Sequence, residues 1–119
     1  MTDNCFNNPV GVANVNVITD DKMKASSIYG SGYQAAYGRL HGTRGDGWCA
    51  KDAARNDDWL QVEFGKTIQV CGAATQGDRN GNEWVKAFKL SYSSHGSNWV
   101  PYKDGRGVEV VRFLRSKKL

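Results

Sequence analysis

The segment WLQVEFG, residues 59–65, restricts the possible folds of this chain more than any other feature of the sequence. Its side chains alternate strictly, so that Leu60, Val62 and Phe64 fall on one face of an extended chain. A period of two residues with one apolar face is typical of a β-strand that buries one side, and Gly65 ends the run. The pattern therefore predicts a half-buried strand.

Four further segments favour strands. Residues 68–77 (IQVCGAATQG) are apolar or small on both faces, which predicts a central strand between two layers. Residues 85–94 lead through the turn SSHGSNW into residues 99–103, which predicts a hairpin. Pro101 cannot donate a ladder hydrogen bond and marks the second hairpin strand as an edge, or marks a bulge in it. Residues 108–114 (VEVVRFL) are rich in β-branched side chains and predict one more strand.

The N-terminal third contains weaker signals. Residues 12–20 (VANVNVITD) and 22–29 (KMKASSIY) predict shorter strands, and residues 34–40 (QAAYGRL) predict a single helical turn. Short strands at nearly regular spacing, in a chain with 14 glycines and 2 prolines, favour an antiparallel β-sandwich or jelly roll over a βαβ fold. We expect an all-β domain whose end loops carry the function.

Length and charge exclude several classes of protein. The 119 residues suffice for one domain, and no apolar run approaches the ~18–20 residues that cross a bilayer. The N-terminus lacks the layout of a signal peptide. The net charge of +4 comes from the C-terminal end, so residues 115–119 are interpreted as a solvated basic tail, and no nucleic-acid partner is expected.

Six segments, taken together, resemble the discoidin domain, which is also called the coagulation factor V/VIII type C domain. The matching segments are ASS (25–27), YGRL (37–40), GWCA (47–50), WLQVEFGK (59–66), VCGAATQG (70–77) and WVKAFKLSYSSHGSNWVPYKDG (84–105). The resemblance implies a galactose-binding-like jelly-roll antiparallel β-sandwich over residues 5–114. It also implies a non-catalytic binding module of secreted or cell-surface proteins, with three ligand-binding loops at one end.

The C-terminal part departs from the family pattern. Members continue past the KDG segment to a last cysteine that commonly pairs with one near the start, whereas this sequence turns into VEVVRFLRSKKL. We therefore expect a domain truncated at its C-terminus, or one in which the tail replaces part of the missing strands, and Cys5 has no expected partner. Cys71 is interpreted as a buried apolar residue, although Cys49 could pair with it.

By position, the first loop is residues 28–37, the second loop is 40–48 and the third loop is 77–83. The candidate ligand-binding residues are Tyr29, Tyr33, His41, Arg44, Asp46, Asp78, Arg79, Asn80 and Asn82. Asp and Asn are equally what tight turns require, so a purely structural role in a turn stays open for each of them, and Tyr33 could instead pack under its loop. The four tryptophans are expected to pack in the core and at the loop bases.

The chemistry of the loops favours a sugar. The third loop, GDRNGNE, is wholly polar, so the loops lack the apolar tips that a bilayer would bury. Tyrosines offer a flat apolar face beside a hydroxyl, which suits the C–H face and the hydroxyls of a sugar ring. The predicted function is cell-surface recognition and adhesion through a carbohydrate or glycoprotein. The alternatives are an anionic phospholipid such as phosphatidylserine, and an integrin ligand acting through Arg44-Gly45-Asp46, for which a loop-based role of Arg44 is the stronger interpretation.

Catalysis is not expected. His41 and His95 are the only histidines, and no HExxH or GxSxG motif is present. No Asp-rich loop has the spacing of a calcium site, so no metal or cofactor is predicted, with loop calcium left as an open alternative. The resemblance alone implies an extracellular or cell-surface location.

Overall fold

The computed structural model of the chain describes residues 8–52, 55–70, 72–79, 81 and 83–103, together with the backbone of 111–113. Its strands are β1 (Met23–Ala25), β2 (Leu60–Val62), β3 (Ala87–Lys89), β4 (Ser91–Tyr92), β5 (Val100–Pro101) and β6 (Val111–Phe113). Two 3₁₀ helices cover Asp20–Lys22 and Ala35–Gly38. No helix in this part of the chain is long and apolar enough to cross a membrane.

The strands form three antiparallel pairs. β1 pairs with β2 so that Met23 lies opposite Val62, and β3 pairs with β6. β4 pairs with β5, with Tyr92 opposite Val100. Every described strand pair is antiparallel and no described residue is in an α-helix, which confirms the all-β prediction.

A small apolar core joins the first strand pair to the loops. Ile18, Met23 and Ala36 are its buried members, at 4, 5 and 8% exposure, and Val62 and Phe64 pack against them. The alternation of WLQVEFG is confirmed only in part, since Val62 and Phe64 turn toward the core and Glu63 is exposed, but Leu60, predicted on the buried face, is 37% exposed. Ala36 lies in the 3₁₀ helix that the sequence predicted as a helical turn, so the core directly holds the C-terminal end of the first loop.

The predicted strand over residues 12–20 is wrong. The backbone there makes local turns, in which Asn14 N–H donates to Gly11 O at 2.9 Å and Val17 N–H donates to Asn14 O at 3.0 Å. Asparagine side chains stabilise turns, and Asn14 Oδ1 accepts from the backbone N–H of Asn16 at 2.9 Å. The alternation of Val and Asn thus has the two-residue period of a strand although the segment forms turns, and Val17 is 58% exposed.

The predicted central strand over residues 68–77 is also wrong within the described residues 68–70 and 72–77, none of which lies in a strand. Val70 is 52% exposed, and residues 72–75 are exposed as well. A central strand needs hydrogen-bonded neighbours, and the described strand pairs include none for this segment. Cys71 and Cys5 lie outside the described residues.

The C-terminal hairpin is confirmed. β4 and β5 pair across a turn in which Ser93 Oγ accepts from Gly96 N–H at 2.8 Å, and Gly96 has a φ of 75°. Pro101 lies in β5, which pairs only with β4 in the described part of the chain, as its edge position requires. The predicted strand at 108–114 is described at Val111–Phe113, where it pairs with β3. The tail at 115–119 lies outside the described residues.

Three of the four tryptophans do not pack as predicted. Trp59, Trp84 and Trp99 are 48, 37 and 45% exposed. The described core lies at β1, β2 and the 3₁₀ helix Ala35–Gly38, and it has no described counterpart that would cover these rings. Trp48 is half-buried, and its Nε1–H donates to the carbonyl oxygen of Ser27 at 2.9 Å.

Candidate ligand-binding loops

The first and second loops lie side by side, joined by backbone hydrogen bonds. The N–H of Tyr29 donates to the carbonyl oxygen of Cys49 at 2.8 Å, and the N–H of Asp46 donates to the carbonyl oxygen of Gly32 at 3.2 Å. One contact lies beside the start of the first loop and the other near its middle. The two loops therefore form a single surface.

Gly45 makes this close approach possible. Its φ of 61° lies in the left-handed region that L-residues avoid. A Cβ at this position would lie 2.5 Å from the carbonyl oxygen of Gly32 and would also clash with the ring of Tyr37. Any side chain here would push the second loop away from the first.

The third loop is tied to the second. The backbone N–H of His41, whose φ is 58°, donates to Oε1 of Gln76 at 2.6 Å. Nη1 of Arg79 donates to the carbonyl oxygen of Thr43 at 2.5 Å. Because each loop contacts its neighbour, the three predicted loops lie next to one another.

Tyr29 and Tyr33 form an aromatic pair in the first loop. Their ring centroids are 5.4 Å apart and the planes are nearly perpendicular, at 87°. Tyr29 is 65% exposed, whereas Tyr33 is half-buried, and burial together with the carboxylate of Asp46 raises the pKa of the Tyr33 hydroxyl. The half-buried ring of Tyr33 thus packs edge-to-face against the exposed ring of Tyr29.

An ion-pair cluster of Asp20, Arg39 and Arg44 lies beside the second loop. Arg44 donates from Nη1 and Nη2 to the two carboxylate oxygens of Asp20 at 2.8 and 2.7 Å. Arg39 donates from Nη2 to Asp20 Oδ1 at 2.8 Å and from Nη1 to the carbonyl oxygen of Val12 at 2.7 Å. The bonds from Arg44 and then from Arg39 hold the pKa of Asp20 far below its usual range. Asp20 and Arg39 were not among the predicted site residues.

The guanidinium of Arg44 is therefore bound by another side chain of this protein, Asp20. Besides binding Asp20, its guanidinium lies 5.4 Å from the centre of the Tyr37 ring, and the bond to Asp20 raises the pKa of Arg44. The tripeptide Arg44-Gly45-Asp46 consequently has its arginine in an internal ion pair and its glycine against the first loop.

Asp78 has the turn role that the sequence left open. Its Oδ1 accepts from the N–H of Gly81 at 2.9 Å, and its own N–H donates to the carbonyl oxygen of Glu83 at 2.9 Å. This pattern closes the third loop. The two predicted asparagines of the loop, Asn80 and Asn82, lie outside the described residues.

Comparison with known proteins identifies the family. The sequence matches the F5/8 type C domain over residues 22–116. The chain belongs to the F5/8 type C, or discoidin, domain family. The galactose-binding-like jelly-roll fold that the resemblance implied is thereby confirmed, in agreement with the antiparallel strand pairs.

Three receptors are similar to this discoidin domain. The human epithelial discoidin domain-containing receptor 1 is 32% identical over 100 residues, which cover 79% of this chain and 11% of that protein. The rat and mouse proteins of the same name are each 31% identical over the same shares. The chain thus spans about a tenth of the length of these relatives.

A serine network anchors the loops to the strands of the discoidin domain. Oδ1 of Asp58 accepts from the hydroxyls of Ser26 and Ser27 at 2.7 and 3.0 Å. Oγ of Ser26 accepts from the N–H of Trp59 at 2.9 Å, and the carbonyl oxygen of Ser27 accepts from the indole of Trp48. The ASS segment, one of those that carried the family resemblance, thereby joins the first loop, the end of the second loop and β2.

The described residues of the discoidin domain offer no group of three or more His, Cys, Asp or Glu side chains that could hold a metal ion. Cys49 is a half-buried free thiol whose pKa is raised by burial and, to a smaller degree, by the carboxylate of Glu83.

Proposed function

We propose that this discoidin domain is a non-enzymatic recognition module of the extracellular space or cell surface, and that it binds carbohydrate, free or on a glycoprotein, in adhesion. The proposal rests mainly on the exposed ring of Tyr29, which lies at the surface formed by the three joined loops. Similarity to proteins named as receptors supports a recognition role and an extracellular location.

The stacking surface is suited to a sugar ring. The C–H face of a pyranose packs on an aromatic ring, while its hydroxyls need hydrogen-bonding groups at the edge. Tyr29 supplies the ring, fixed by the perpendicular Tyr33, and Asp46 lies in the neighbouring second loop. A rigid aromatic platform reduces the ordering cost of binding, which matters for a weak single site.

The other two candidate ligands have less support. A membrane-binding surface needs several large apolar side chains at its tips, whereas the described part of the third loop is polar, and the first loop presents a tyrosine. An integrin ligand needs a guanidinium that is available to the partner, whereas that of Arg44 is bound to Asp20.

A glycan array with the 119-residue chain, displayed as a multivalent probe to raise avidity, tests the proposal. We expect selective binding of a small set of glycans and its loss in Tyr29→Ala. If stacking buries about 60 Å² of the ring, the substitution removes about 1.5 kcal/mol, or about tenfold in affinity. The matched control is Tyr102→Ala, since Tyr102 is 45% exposed and follows β5, outside the three loops.

The proposal is contradicted if no glycan is bound selectively, or if both tyrosine variants lose binding equally. Tight co-sedimentation with phosphatidylserine vesicles would instead support the lipid alternative. Loss of integrin-dependent cell adhesion in Asp46→Glu would support the integrin alternative.

A further inference from the structure

A cleft of about 170 Å³ lies between the first and second loops. Its walls include Tyr37 from the first loop and His41, Thr43 and Arg44 from the second, with Arg39 between the two loops. Two of these side chains, those of Arg39 and Arg44, only donate hydrogen bonds, the other three can donate or accept, and no side chain that lines the cleft only accepts. The cleft is therefore complementary to an acceptor.

The cleft also carries excess positive charge. Two guanidinium groups, those of Arg39 and Arg44, share the single carboxylate of Asp20. Asp20 is ionised at neutral pH, since its ordinary pKa of 3.8 is already well below 7 and the two arginines lower that pKa further. The cluster of three side chains thus has a net charge of about +1, which attracts an anion to the neighbouring cleft.

One donor in this cluster has no acceptor among the described residues. The side chain of Arg39 is only 5% exposed, and its two terminal nitrogens are used by Asp20 and Val12. Its Nε–H is buried and has no hydrogen-bond partner in the described part of the protein. Buried cationic donors are nearly always satisfied, and an oxygen of a ligand in the cleft that Arg39 lines would supply an acceptor for this N–H.

We infer that this cleft binds one oxyanion of an acidic sugar, a sulfate or a carboxylate, between the first and second loops. The inference rests on the proposed function and narrows it from carbohydrate to acidic carbohydrate. A phospholipid head group would bring the same oxyanion chemistry. The sugar is favoured because the aliphatic side chains that line the cleft are limited to Ala13, Val15 and Ala36, whereas a bilayer-binding surface needs several large apolar side chains.

The test compares a sulfated disaccharide with its unsulfated parent by calorimetry on the whole chain. We expect the sulfated sugar to bind more tightly, with an advantage that shrinks as salt is added. Arg44→Gln, which reduces the cluster to zero net charge, should weaken binding of the sulfated sugar about fivefold, the effect of one charge about 4–5 Å away in a water-like medium. Binding of the unsulfated sugar should not change to the same degree.

Arg55→Gln is the matched control. It removes the same charge from the chain, but Arg55 is 62% exposed and pairs locally with Asp57. Titration with sodium sulfate, followed through the amide NMR signals of residues 39–44, gives a second readout that needs no variant. We expect saturable shifts at these residues.

The outcomes separate the two proposals. Equal binding of sulfated and unsulfated sugar would overturn the inference and leave the proposed function standing. Binding of neither sugar would overturn the inference, and the proposed function would then be decided by the glycan array. Equal effects of Arg44→Gln and Arg55→Gln, no sulfate shifts at residues 39–44, or oxyanion-dependent binding to phosphatidylserine vesicles alone, would each also overturn the inference.

Discussion

Replacing Gly45 with alanine tests whether the first and second loops are packed together as described. The new methyl group would meet the carbonyl oxygen of Gly32 and the ring of Tyr37. Gly47 provides a matched control in the same loop. It also has a positive φ, 91°, but a Cβ there would meet nothing within 4 Å.

The expected difference follows from these two environments. An alanine in the left-handed region costs about 1–2 kcal/mol at either position. At Gly45 the contacts with Gly32 and Tyr37 add about 1–3 kcal/mol, because a packed site must shift to admit an extra methyl group. Gly45→Ala should therefore lower the free energy of unfolding by about 2 kcal/mol more than Gly47→Ala does.

Urea denaturation followed by tryptophan fluorescence measures this difference. With an m-value of about 2 kcal/mol/M, the midpoint of Gly45→Ala should lie about 1 M below that of Gly47→Ala. In a Tyr37→Ala background the gap should narrow, since the ring that the methyl group meets is gone. Equal midpoints for the two alanine variants would refute the close packing of the loops.

Two further predictions concern the ion-pair cluster. Since folding lowers the pKa of Asp20 below its ordinary value of 3.8, its contribution to stability is complete above about pH 4 and is lost as the pH falls below that value. Urea midpoints measured from pH 6 to pH 2 should therefore fall less steeply for Asp20→Asn than for the wild type, and parallel curves would contradict this role of Asp20. Arg39→Met should lower the free energy of unfolding by about 3 kcal/mol, because a buried side chain loses two charge-assisted hydrogen bonds. This loss should exceed that of Arg44→Met, because the side chain of Arg44 is 50% exposed. If denaturation experiments give the same loss of unfolding free energy for Arg39→Met and Arg44→Met, the burial of Arg39 does not contribute to stability.

The sequence predicts those elements whose local pattern and tertiary environment agree. In WLQVEFG the alternation predicts that Val62 and Phe64 turn inward, although Leu60 is 37% exposed, and the SSHGSNW turn does close a hairpin between β4 and β5. Residues 12–20 alternate as well, but their asparagines hydrogen-bond locally and make turns. Residues 68–77 have the composition of a central strand, yet composition does not supply the neighbouring strands that such a segment needs.

Among the residues of the candidate site, too, some could be placed from the sequence and others could not. Tyr29 and Tyr33 could be predicted because their loop positions follow from the matching segments around them. Asp20 and Arg39 could not, since their ion pair joins residues 19 apart in the chain and depends on how the first turns pack against the 3₁₀ helix Ala35–Gly38. Asp78 was correctly identified as a residue of the third loop, but whether it binds ligand or closes a turn is decided by local geometry that the sequence leaves open.

Mapping a bound glycan on the whole chain tests whether the surface formed by the three loops binds carbohydrate. Amide NMR signals should be followed during titration with the glycan that gives the strongest array signal. Saturable shifts are expected in residues 28–37, 40–48 and 77–83, with little change in the β4–β5 hairpin. Shifts confined to the hairpin, or no shift with any glycan, would contradict this expectation.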